Sequence, residues 1–183
     1  MKFFEREQIA EAWAAARWRP AESPIDLEAY RSELELHYRN GSVVAAAGYV
    51  EIDPDVAAMV ANDNWKFSQL LDRIWTLSKI LSPAKAKVPI CDTFASIDVF
   101  ELSALLARKY FFGGAYSTAS HTTTAKCLEL GAGAALAMLP AGGVVFASES
   151  AWCDFFMDIA WDLTVVAVGK DARITMLLAT DTD

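Results

Sequence analysis

Up to about residue 140 the apolar positions recur mainly at helical spacing, and beyond 144 mainly at every second residue. Phe4, Ile9, Trp13 and Ala16 predict a helix over 4–17, ended by Pro20. Ser23-Pro24 reads as a second helix start, an N-cap residue followed by proline at the first helical position. Leu27, Tyr30, Leu34 and Tyr38 continue that stripe to a C-terminal cap at Gly41. Residues 42–52 fit either template, with the strand favoured, and Asp53-Pro54 breaks the chain. The clearest stripe, Phe67, Leu70, Leu71, Ile74, Leu77 and Leu81, predicts a helix over 64–81 that Ser82-Pro83 stops. Residues 84–95 read as extended or looped, with Pro89 restricting any strand to an edge.

Asp98 and Glu101 have capping-box spacing, with Ile97 and Leu102 at the staple positions, so a helix should run to about Tyr110 and stop before Gly113-Gly114. After a Ser/Thr-rich loop, a further helix is expected over 122–138, ended by Pro140. Val144–Ala147 predicts a short strand. Trp152–Leu163 satisfies both periodicities, and the period-2 run favours a strand from Asp158 onward. Residues 169–172 then form a hairpin turn and 173–179 the return strand. The expected fold is α+β: a helical N-terminal two-thirds packed on a small C-terminal antiparallel β-sheet. The 183 residues should form a single globular domain, helix-rich over 1–140 and β-rich over 144–183.

An apolar content of 54% excludes a disordered chain. Cys91, Cys127 and Cys153 are an odd, scattered set, which favours free thiols in a reducing compartment. The N-terminus has no apolar run of a secretory signal. The uncharged stretch between Glu129 and Glu149 is long enough to span a bilayer, but four glycines and Pro140 make it a helix stop and turn instead. The histidines, His37 and His121, form no zinc-ligand spacing with the cysteines. Gly131-Ala-Gly133 sits inside a predicted helix and reads as a close-packing feature rather than a phosphate loop. The expectation is a chain with no catalytic set, metal site or cofactor. A Cys–His pair using His121 with Cys91 or Cys127 remains open, since such partners need not adjoin in sequence.

Charge changes the picture most. The chain holds 16 basic and 24 acidic side chains, and residues 149–183 hold 7 of the acidic ones against Lys170 and Arg173 alone. Such a chain is ill suited to phosphate backbones or anionic lipid, so neither nucleic acid nor membrane is an expected partner. Asp154, Asp158 and Asp162 fall on one side whether the segment is helix or strand. A solvated face, a surface for a basic protein and a carboxylate metal or catalytic site all fit that line. Trp152 and Trp161 flank it, as core residues or as interface anchors.

The tail from Trp152 through Asp158, Trp161, Asp162 and Thr164, followed by the hairpin and Leu177–Asp183, resembles the C-terminal segments of small bacterial immunity proteins from polymorphic-toxin systems. The likeness covers the residues beyond 144 and, more loosely, the region from Ser96. It implies a cytoplasmic protein that binds one cognate toxin domain and blocks it. On that reading Glu149, Asp154, Asp158, Asp162, Asp171, Asp181 and Asp183 supply the charge, and Trp152 and Trp161 the anchors. A small cytoplasmic enzyme and a regulatory binding subunit are the alternatives.

Overall fold

The computed structural model describes residues 6–53, 55, 74, 78–80, 93–114, 122–139, 143–158, 161–169 and 173–181. Four helices and six strands lie among them: α1 (Arg6–Ala15), β1 (Arg17–Ala21), α2 (Ile25–Glu35), β2 (Ser42–Glu51), β3 (Ala95–Ile97), α3 (Val99–Phe112), α4 (Thr124–Met138), β4 (Val144–Ser148), β5 (Leu163–Val168) and β6 (Arg173–Thr180). All six strands join one antiparallel sheet in the order β1-β2-β6-β5-β4-β3.

This corrects the expected architecture. The sheet is large and draws strands from both ends of the chain, with ten-residue β2 pairing directly with β6 from Ser42↔Thr180 to Tyr49↔Arg173. Pro20 reads as a helix stop, yet it lies in β1 at the sheet edge, where a missing N–H breaks no ladder. The alanine-rich β2 has weak intrinsic preference, and its ladder with β6 decides the outcome. Gly48 is needed there because the Trp18 ring packs against it, and a Cβ at that position would sit 2.5 Å from Trp18 Cε2. Helix α2 starts after Pro24, which occupies the cap position itself with no capping side chain. The stripe predicted over 64–81 falls mostly outside the described residues, apart from the buried Ile74 and residues 78–80.

Both faces of the central strands are covered. On one face Leu163, Val165, Ala167, Leu177 and Ala179 meet Leu27, Tyr30 and Leu34 of α2, Leu102 and Leu106 of α3, and Ala134 and Met138 of α4. On the other, Val166, Val168, Ile174, Met176 and Leu178 meet Ile9 and Trp13 of α1, Ile74, and Trp152 and Phe156 from the β4–β5 connection. Three layers result, and each fully buried aliphatic side chain in β5 and β6 contributes about 1.5–3 kcal/mol.

Helix α3 carries the capping box that the sequence predicts: Asp98 Oδ1 accepts from Phe100 N and Glu101 N, each at 2.8 Å, and Glu101 Oε2 accepts from Asp98 N at 3.0 Å. It crosses α4 at Gly131, where a Cβ would lie 2.6 Å from Ala107 N and 2.7 Å from Ser103 O. Gly-to-Ala inside a helix ordinarily stabilises by up to about 1 kcal/mol. Gly131→Ala should instead destabilise by about 1–3 kcal/mol, because two helix backbones must separate; urea unfolding of the two chains checks the sign.

Candidate functional site

The C-terminal turn of α3 lies against the β4–β5 connection, and a buried lysine joins them. Lys109 is 5% exposed. Its Nζ stands 2.9 Å from Glu149 Oε1 and donates to the Asp162 carbonyl oxygen at 3.2 Å. Arg108 Nη2 donates to both Glu149 oxygens, at 3.2 and 3.0 Å. Partial burial pushes the Glu149 carboxyl up, and Lys109 and Arg108 outweigh it, holding the group below the usual carboxylate range. Beside this cluster lies a cavity of about 290 Å³ lined by Arg108, Lys109, Phe112, Glu149 and Trp161.

Beneath it, polar groups from distant parts of the chain meet. Asp162 Oδ1 accepts from Thr180 Oγ1 at 2.6 Å, and Asp181 Oδ1 accepts from Asn40 N at 2.9 Å. The Tyr38 hydroxyl donates to the Trp161 carbonyl at 3.3 Å. Burial first, then the nearby Asp181, Asp162 and Glu149 side chains, pushes the Tyr38 phenol far above its ordinary value. Gly113, at φ 67°, ends α3, and Gly114 passes so close to the Asp181 carboxyl and His37 O that a Cβ would collide with both.

The residues proposed from sequence therefore divide. Glu149, Trp161, Asp162 and Asp181 come together at this end of the sheet, but Asp162 and Asp181 have no exposed surface. That corrects their place on an outward acidic face: a fully covered side chain cannot offer its charge to a partner. Trp152 is also inside, 2% exposed, with its indole N–H donated to Thr164 Oγ1 at 2.9 Å and its ring against Phe94 and Phe156. It is a core residue and not an anchor. Asp154 and Asp158 are exposed, and Asp158 holds φ 62°, a conformation that aspartate tolerates better than most residues. Asp154, Asp158 and Asp162 share no face, because the described residues of the segment between β4 and β5 form neither a helix nor a continuous strand. Its Trp152, Cys153 and Phe156 turn into the second core instead. Asp171 and Asp183 lie outside the described residues, as do Cys91 and His121. Cys127 is buried beside Thr122. His37 is half-buried and packs edge-on against Tyr110 with ring centroids 5.0 Å apart.

Sequence reasoning missed Lys109, Arg108, Phe112 and Tyr38. One signal for Lys109 was present: it follows Leu102 and Leu106 at positions i, i+4 and i+7, on the apolar stripe of α3. Among the described residues no group of three or more His, Cys, Asp or Glu side chains is placed to hold a metal ion. Nor is any described helix long and apolar enough to cross a membrane. No family model matches the chain, and no curated protein or solved structure shows significant similarity to it.

Two outcomes follow from the buried network. Lys109→Met should cost about 2–3 kcal/mol, since it strips the buried Asp162 carbonyl of a charged donor, whereas Arg108→Met at the exposed end of the same cluster should cost less than about 1 kcal/mol. Paired urea denaturation curves measure both. Tyr38 binds its proton more tightly folded than unfolded, so its contribution is full below the unfolded value of 10.0 and declines as pH rises above it. Stability measured across that range should fall less steeply in Tyr38→Phe than in the parent chain.

Proposed function

We propose that the chain is a bacterial immunity protein, acting in the cytoplasm, that binds and neutralises a cognate toxin domain through the β4–β5 connection. The observation that carries this reading is how that connection is held. Trp152 and Phe156 fix one half in the core, while Thr180 and Lys109 fix Asp162 at its far end. Between them Asp154, Met157 and Asp158 face solvent, with Met157 56% exposed. An acidic surface of this kind favours fast capture of a basic partner, and an exposed methionine offers adaptable apolar contact. A segment already ordered before binding loses little conformational entropy on association. The resemblance of the tail to immunity proteins agrees in kind, and the charge now resides in Asp154 and Asp158, with Glu149 committed to Lys109 and Arg108.

The test is capture of partners from the source organism's lysate with this chain as bait, followed by expression of the captured domain with and without the chain. A stoichiometric partner that is toxic alone and harmless when co-expressed supports the reading; a harmless partner, or none at any salt concentration, contradicts it. Asp154→Lys with Asp158→Asn, the latter keeping a residue that tolerates positive φ, should weaken binding about tenfold or more. Both side chains are exposed, so unfolding free energy should change by only about 0.5 kcal/mol.

A further inference from the structure

The sulfur atoms of the described residues are unequally placed. Met138 in α4 and Met176 in β6 are fully buried, and Cys127 and Cys153 are 2% and 0% exposed. Met157 is the one open to solvent among them, at 56% exposed. The backbone on either side holds it outward. Phe156, one residue earlier, is fixed in the second core, and Asp158, one residue later, sits at φ 62°. We infer that Met157 is a reversible oxidation site, and that a peroxide acting there loosens the partner's hold. The second half of this inference rests on the function proposed above.

The chemistry needs only the thioether and a peroxide. A sulfur lone pair attacks one peroxide oxygen, so an S–O bond forms and the O–O bond breaks. The departing hydroxide takes the proton that the attacked oxygen gives up and leaves as water. Sulfur is oxidised by two electrons, peroxide is reduced by two, and the product is methionine sulfoxide. Thiol-dependent sulfoxide reductases reverse the step. Exposure governs susceptibility, so the reaction is directed to the connection and away from both cores. The product is polar and chiral where the thioether offered adaptable apolar contact. Its oxygen is an acceptor only. The Asp154 and Asp158 carboxylates, exposed on the same segment, are acceptors already turned to a basic partner's cations. The added oxygen therefore gives up water on association with no donor set against it, which weakens binding.

The experiment exposes the full chain to dilute hydrogen peroxide and follows oxygen uptake by peptide mass spectrometry. The peptide carrying Met157 should gain one oxygen well before those carrying Met138 and Met176. After the peroxide is removed, affinity for the captured partner should be about tenfold weaker than that of the untreated chain. Methionine sulfoxide reductases with dithiothreitol should restore it. Met157→Leu, a change at an exposed side chain, should bind within about twofold of the parent and lose all sensitivity to peroxide. That variant also separates Met157 from Met1, Met59 and Cys91, which lie outside the described residues. Oxidation of Met138 or Met176 as fast as Met157, binding by the sulfoxide as tight as or tighter than before, or peroxide sensitivity persisting in Met157→Leu overturns the proposal. Absence of any partner contradicts the immunity reading and takes the second half of the inference with it, whereas unchanged affinity after oxidation sinks this inference and leaves that reading standing.

Discussion

The pairing of β5 with β6 at the centre of the sheet constrains everything around it. Apart from Arg173 at its start, every residue of both strands is buried, so apolar layers must cover both faces. Three helices supply one layer. The other depends on α1 together with the connection between β4 and β5, which must carry Trp152 and Phe156 down onto the sheet. That demand prevents the connection from being a plain loop. It is core at its first half, exposed in its middle, and pinned again where it enters β5.

Its second attachment is polar, and the physics differs. Lys109 is removed from water on the apolar side of α3, a costly position unless its donors are satisfied. Glu149 and the Asp162 carbonyl satisfy them from the two ends of the same connection. One side chain thus fixes where β4 leaves the sheet and where β5 begins. The cavity between α3 and this crossing, and the acidic surface carried by the connection, both follow from that fixation. Breaking it should loosen both together.

The parts of this arrangement legible in the sequence are the local ones. The capping box at Asp98 and the stop at Gly113-Gly114 are set by residues within a turn or two of one another, so spacing alone reveals them. The edge strand β1 was hidden because Pro20 terminates helices and is tolerated in edge strands alike. The β4–β5 connection was hidden for a different reason. Its apolar residues satisfy two periodicities, and the choice is made by a core assembled from α1, β6 and Ile74, all remote in sequence. The aspartates illustrate the same limit. Asp154 and Asp158 stay outside, while Asp162 is covered beside Thr180 and Asp181 is held by Asn40, 141 residues away. Only the topology β2-β6-β5 brings those groups together.

The central claim is that this pinned connection is the surface on which a partner is held. Hydrogen–deuterium exchange of the chain, alone and in complex with its captured partner, addresses that claim most directly. Slowed exchange concentrated in residues 153–158 and the adjoining end of α3 is the predicted result. Slowing confined to α4 or to the β1 edge, with the β4–β5 connection unchanged, would contradict it.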